Sequence, residues 1–330
     1  MFIPTLEDVL EEQKDLNALC ADRDSKTKEI FRLNDFYGND FILKAYAGVD
    51  IEYSLKFIIP HGIVFDVGNY LKAELKSRIP SIMCYQESRY NGYCERIGRW
   101  GKVFRAAAPF TYIPDLIKEK KDTERRGTLI FPSHSTRHLT AEMDYELLAE
   151  KILGLDEVYR PVTVCAYWHD YNIGAYEVFK KKGLKLVSAG HIFDPHFLIR
   201  LYHLLSQHEY SACNNMGSHI FYAQFAGCKH FFLNTGSINI KPESEEHLKA
   251  LSNPSDGLIK KFNELYSLPG SAEDEKNLLL EKYLSPSLKK SKMGLRKYFI
   301  ETEYIYHKSN IISNPLVGKI KNKVKNILDM

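Results

Sequence analysis

Nowhere does this 330-residue chain run apolar for the roughly 20 uninterrupted residues that a membrane-spanning helix needs. If it works at a bilayer, it lies on one. Its six cysteines (Cys20, Cys84, Cys94, Cys165, Cys213, Cys228) are scattered with no CxxC pair, a usage that fits reduced, mostly buried thiols and points to the cytoplasm. No disulfide framework is expected. The N-terminus, MFIPTLEDVLEEQKDLNALC, is acidic and amphipathic, without the basic-then-apolar order of an export signal. HExxH and the recognised zinc spacings are missing as well, so no metal and no bound cofactor are expected.

What is present suits an ordinary folded protein: 44% hydrophobic, 26% charged and 12% aromatic, with 21 Tyr and 18 Phe. Disorder is excluded for most of the chain. The formal charge of +3 hides an asymmetry, because Ser287 to Met330 holds ten Lys or Arg against three acids, leaving +7 there and −4 on the rest. With no RNA- or DNA-binding module and a near-neutral body, nucleic acid is not an expected partner.

Along the chain, residues 5 to 30 read as a helix capped by Thr5, and 40 to 125 as short apolar runs alternating with polar and Gly-containing stretches. The clearest order begins at Gly127. Strand-like TLIFP, PVTVCAYW, LKLVSAG, EYSACNN and KHFFLN alternate with helices expected over Ala141–Leu153, Ala175–Gly183, PHFLIRLYHLLSQ and GSHIFYAQFAG. That alternation predicts right-handed crossovers and a parallel sheet covered on both faces. Ligands in such sheets bind at the strands' carboxyl ends, where the turns SHST, HDYN, GHIFDPH and NNMGSH fall. From about 242 the pattern becomes helix and loop.

Three groups of residues stand at those ends. In SACNNMGSHIFYAQFAG, Asn215 ends a strand, Gly217 allows a tight turn, and Ser218 and His219 open a helix whose free amides would hold a phosphate. In FPSHSTRH, Ser133, Ser135 and Thr136 are small donors and Arg137 a natural phosphate partner. His134, His169, His191, His196 and His219 all lie near such loops and together can surround one anion.

The segment from about 126 to 236 resembles the donor-binding domain of GT-B glycosyltransferases on Gly217, Tyr222-Ala223 and Gly227-Cys228-Lys229 followed by a strand. Tyr222 departs from the pattern, standing where many members carry a ribose-binding carboxylate. The resemblance implies two facing Rossmann-like α/β domains, 1–125 for acceptor and 126–245 for donor, with a helical region 246–330 packing back across the cleft. It also implies a metal-independent transfer of sugar from a CMP-, UDP- or GDP-sugar to a glycan or glycolipid hydroxyl, in bacterial surface polysaccharide assembly.

On that reading, His61 follows an apolar strand as a candidate general base with Asp66 to orient it, and Arg89, Arg96, Arg99 and Trp100 are the candidate acceptor contacts. Two alternatives stay open: a sugar-nucleotide epimerase of similar architecture, and a non-catalytic carbohydrate- or nucleotide-sugar-binding protein. The tail from Asn314 to Met330 alternates apolar residues with Lys319, Lys321, Lys323 and Lys325, which suits the inner face of an anionic membrane.

Overall fold

The computed structural model describes residues 1–65, 72–96, 101–117, 124–137, 139–235, 238–242 and 254–313. Asp66, Arg99, Trp100 and the 314–330 tail lie outside the described residues.

In the N-terminal segment, β1 (Ser81–Cys84) and β2 (Lys102–Arg105) pair in parallel, and Ile58 bridges to Ile82 on the other side of β1. Odd and even residues part company here. Ile58, Ile82 and Cys84 meet Phe31, Ile79 and Tyr93 in a small core, while Phe57, Ile59, Met83, Tyr85 and Phe104 turn to the large one.

Next along the chain come β3 (Thr128–Phe131), β4 (Leu139–Glu142), β5 (Val162–Ala166), β6 (Lys185–Ser188), β7 (Tyr210–Cys213), β8 (Lys229–Phe232) and β9 (Asn239–Pro242). Five of these form one parallel sheet in the order β6-β5-β3-β7-β8, with β4 and β9 paired antiparallel beside it. Counted by appearance in the sheet the order is 3-2-1-4-5, a doubly wound order that switches direction beside its first strand. The fold is therefore mixed α/β with a parallel sheet.

Both faces of the sheet are buried, and the period of two sorts the strand residues between them. Leu129, Phe131, Cys165, Val187 and Cys213 face the helices Phe197–Ser206 and His219–Phe225. Ile130, Val164, Ala166, Ala212 and Phe231 face the helices Tyr145–Leu153 and Glu177–Lys181. The first face matters more for the layout of the molecule, since its core continues without a break into Phe41, Ile42, Phe57, Met83, Phe110 and Ile113 of the N-terminal segment. No gap in the apolar core marks the boundary expected near residue 125.

The C-terminal helices close this arrangement. Phe262 and Tyr283, from helices Asp256–Leu265 and Glu273–Leu284, pack on Phe221. The long helix Lys292–Ser313 lies on the N-terminal segment instead, stacking Phe299 on Tyr53 and setting Tyr298 against Phe104.

Several local expectations are corrected. The helix expected over 5–30 is two short ones, Leu6–Glu12 and Leu16–Cys20, because the Asp15 carboxylate accepts the Ala18 amide and starts a second cap. Thr5 does cap the first, in a reciprocal box with Asp8. The helix expected to begin after Thr140 starts at Tyr145 under Asp144, since 139–142 are drawn into β4 by pairing with β9. The HDYN turn is helical over Trp168–Asn172.

Candidate functional site

The chain reverses its winding direction between β3 and β7, and the loops beyond their carboxyl ends, Pro132–Thr136 and Asn214–Ser218, lie side by side. Crevices of doubly wound sheets open at this point. The two loops are tied together by Asn214, whose Oδ1 accepts the Ser133 amide at 2.8 Å and the Ser133 hydroxyl at 3.1 Å. Ser135 is fixed as firmly, its amide donating to Asp170 at 2.9 Å and its hydroxyl accepting from the Ala141 amide. Ser133 and Ser135 are thus buried braces of the loop, and Thr136 pairs through its backbone with Leu139.

Between these braces His134 is left free to project. Its ring is solvent-exposed and 4.0 Å from the Tyr167 ring, yet desolvation by surrounding protein, reinforced by His169, pushes its pKa down to about 4. His219 lies beside His134, stacked on Phe131 at 5.1 Å. Burial first, then His134, lower its pKa to about 3 against a hydrogen bond that the ring donates to the Asn215 backbone, and its Nε2 is buried with no hydrogen-bond partner. Gly217 makes room for this ring: a Cβ there would sit 2.5 Å from His219 Cε1. The glycine therefore serves the imidazole more than the turn. Ser218 makes no capping bond, and its helix, His219–Phe225, is too short to build an anion site on its own amides.

The opposite wall is the Pro60–Val64 turn, whose Gly62 has φ +67° in the left-handed region. Side chains grip this turn nearly atom by atom. Glu74 accepts the His61 amide at 3.1 Å, Arg89 donates to the carbonyls of His61 and Gly62, and Tyr85 donates to Gly62 at 2.8 Å. Gln86 clasps both the amide and the carbonyl of Val64. Ser218 completes the set by accepting the Ile63 amide at 3.3 Å, which links the two walls directly. Arg89 and Glu74 are themselves a buried ion pair, with Tyr93 also donating to Glu74.

His61 emerges from this clasp with its Nδ1 buried and unpartnered. Burial outweighs Glu74 and lowers its pKa to about 4, aided by Arg89. Its ring stacks on Tyr37, centroids 5.5 Å apart, and meets the edge of Phe36 at 4.9 Å. Tyr37 is a residue that sequence reasoning missed. Its backbone is left-handed, φ +60°, a strained state for an aromatic residue, and the Tyr37 amide bonds Ile192 O at 2.7 Å. Its hydroxyl reaches Tyr167, so one side chain spans from His61 to the neighbour of His134.

The structure thus brings His61, His134, Ser218 and His219 around one recess, with Tyr222 behind it, stacked on Phe110 at 4.3 Å. Asn215 adjoins through its backbone. Of the other expected donor contacts, His169 lies close enough to His134 to depress its pKa, and the rest sit elsewhere. Asp22 holds Arg137 at 2.6 Å and His191 at 3.1 Å, and Trp168 packs on both, with His169 at its edge. His196 is wedged against Phe2 and Phe41. Arg89 cannot serve as an acceptor contact, being buried in the His61 clasp, whereas Arg96 is exposed and donates to Gly92 O at 2.7 Å. Asp22-Arg23-Asp24 is a closely spaced carboxylate pair that the expectation of a metal-free site overlooked. Among the described residues no group of three His, Cys, Asp or Glu is placed to hold a metal ion.

No protein-family model matches the chain, and no curated protein matches it. Among solved structures it is similar to a chain of a GtfA/B complex, with TM-score 0.37 and 9% identity over 74% of this chain and 52% of that one. It is also similar to a variant of the wall teichoic acid polymerase TagF, with TM-score 0.33 and 12% identity over 82% of this chain and 68% of the other. The chain spans about half the length of the first. Likeness this loose carries no argument about activity.

Proposed function

We propose that the chain is a glycosyltransferase that moves a sugar from a nucleotide-activated donor to a hydroxyl of a glycan or glycolipid. The observation that carries this reading is the convergence of three neutral imidazoles, His61 from one wall and His134 and His219 from the other, over the switch point of a doubly wound sheet. The N-terminal segment and the sheet then act as acceptor and donor sides despite their shared core.

Each group has a part in the step. The acceptor oxygen bonds to the anomeric carbon as the bond from that carbon to the nucleotide's phosphate oxygen breaks, and the acceptor proton passes to the free Nδ1 of His61. His134, His219 and the Ser218 hydroxyl donate to the departing nucleotide phosphate. Neutral rings enter this work without the cost of burying a positive charge, and the phosphate's own charge raises their affinity for a proton once it is bound. Asp66 would orient His61, and Arg96, Arg99 and Trp100 would meet the acceptor. Surface polysaccharide assembly is the setting that the sequence resemblance suggests.

Thermal-shift and calorimetric titration with CMP, UDP and GDP tests the donor side, and incubation of the matching sugar nucleotides with and without acceptor glycans tests the transfer. We expect one nucleotide to bind, His134→Ala to weaken it, and His61→Ala to leave binding intact while lowering turnover on the order of 100-fold. Acceptor-independent release of nucleotide would favour an epimerase, and binding without turnover a carbohydrate-binding protein. Binding of none of the three nucleotides would overturn the proposal.

A further inference from the structure

Three tyrosines from separate elements converge between the histidines of the recess. Tyr37 comes from the 3-10 turn Arg32–Gly38, Tyr167 from the residue after β5, and Tyr222 from the helix His219–Phe225. The Tyr37 hydroxyl faces those of Tyr167 and Tyr222, while its ring rests on His61 and, at 4.7 Å, on Phe197. All three side chains are half-buried, and burial raises the pKa of each, so they stand as neutral O–H groups. Packing alone would be served by phenylalanine. Among the described residues nothing bonds the Tyr222 hydroxyl, and a hydroxyl enclosed by protein loses its bonds to water unless another group replaces them. Glycine would hold φ +60° at position 37 more readily, yet the side chain there is one that touches both walls.

Ionised side chains are kept away from this space. Among the described residues no Lys, Arg, Asp or Glu contributes to the electrostatic surroundings of His134, His219, Tyr37 or Tyr222. The charged groups closest behind the walls are engaged already, Arg89 with Glu74 under the His61 turn and Asp170 with the Ser135 amide. Arg32 is separated from His61 by the rings of Phe193 and Phe36. With His134 and His219 on the nucleotide phosphate, no described cation is left in the recess for a second anion. A carboxylate brought there would give up its water with nothing of opposite charge to replace it. Sugar hydroxyls are matched far better, since each both donates and accepts as a tyrosine hydroxyl does, and the C–H face of a sugar ring suits an aromatic face.

We propose that the recess takes an uncharged sugar, rich in hydroxyls and without a carboxylate, and that Tyr37, Tyr167 and Tyr222 bind it through their hydroxyls. The inference rests on the glycosyltransferase reading and deepens it by naming the class of sugar transferred.

Calorimetry on the full-length protein compares UDP-glucose with UDP-glucuronate, GDP-mannose with GDP-mannuronate, and both pairs with CMP-neuraminate, taking UDP, GDP and CMP as references. We expect a neutral sugar nucleotide to bind about tenfold or more tightly than its acidic counterpart and than CMP-neuraminate. The variant Tyr37→Phe/Tyr222→Phe keeps both rings and their packing. It should lose about tenfold in affinity for that neutral sugar nucleotide while binding the bare nucleotide within about twofold of wild type. Equal or tighter binding of an acidic sugar nucleotide overturns the inference and leaves the transferase reading standing. The same holds if the double phenylalanine variant binds the sugar nucleotide as wild type does, or if a bare nucleotide binds and the protein does not discriminate among the sugars. Binding of no nucleotide and no sugar nucleotide overturns the transferase reading, and this inference with it.

Discussion

The two walls of the recess are held in place by different physics. On the sheet side, His134 and His219 ride on loops anchored by parallel strands, and a single side chain, Asn214, joins those loops. On the other side, His61 sits in a turn outside any regular element, and buried polar side chains supply the hydrogen bonds a sheet would otherwise give it. Backbone ladders are redundant, so loss of one contact is shared among neighbours. A clasp built on a buried ion pair lacks that redundancy, because removal of one partner strands the other's charge in the interior.

The largest expected effect follows from this contrast. Arg89→Leu leaves the Glu74 carboxylate buried without its partner and should cost about 3–5 kcal/mol in urea unfolding. The double variant Arg89→Leu/Glu74→Leu should recover part of that loss while still releasing the His61 turn. A single variant within about 1 kcal/mol of wild type would show that the clasp contributes far less than its geometry implies. On the sheet wall, Asn214→Ala should cost about 1–3 kcal/mol, because the ladder between β3 and β7 persists when the side-chain tie is cut. Equal penalties for the two walls would erase the distinction.

Much of the sheet was legible in the sequence, and the reason is physical. A strand buried on both faces reads as a continuous apolar run, so Leu129–Phe131 and Val162–Ala166 declare themselves, and the polar residues that follow mark the ligand-binding ends. The clasp was not legible. Its partners lie 13 to 28 residues from the turn they hold, and Arg89 looks in sequence like any other cation of an aromatic-rich stretch. Tyr37 was invisible for another reason: nothing in the letters foretells a tyrosine in a left-handed backbone conformation. His196 and His191 were read as site residues because they neighbour turns, but proximity along the chain does not say which way a ring faces. Both are taken up in contacts with residues near the N-terminus, His191 with Asp22 and His196 with Phe2.

Acidification presses on both walls at once. Seven histidines, at 61, 134, 191, 196, 208, 219 and 230, have pKa values lowered chiefly by burial. The unfolded chain therefore binds more protons than the folded one between about pH 6.5 and about 4, so stability is whole above that window and falls as pH drops through it. Each extra proton contributes a slope of up to about 1.4 kcal/mol per pH unit. Asp35, raised to about 6 by burial, and Glu29 and Asp170, also raised by burial, act in the opposite sense over part of the same range, three groups against seven. A melting temperature flat from pH 7 to 4.5 would mean that the imidazoles are better solvated than their surroundings imply. Saturating nucleotide should flatten the curve if its phosphates sit among His134 and His219.

The smallest expected effect tests the hydrogen bond from the Ile63 amide to Ser218, which links the two walls directly. Ser218 does not cap its helix, so Ser218→Ala removes no helix-stabilising contact and takes away only the acceptor of the Ile63 amide. At 3.3 Å that bond is long, and its loss should cost no more than about 1 kcal/mol. Its structural consequence is larger than its energy, because the His61 turn keeps its clasp to Glu74, Arg89 and Gln86 but loses its register against His219. The His61 ring signal in NMR should therefore shift or broaden while its pKa, set by burial within its own wall, stays low. Nucleotide affinity should fall only modestly, through the lost hydroxyl donor, while transfer to an acceptor should fall further, since it needs both walls at once. If instead His61 titrates near its ordinary value in Ser218→Ala, the walls separate without that bond, and the shared apolar core beneath them is not what holds the recess closed.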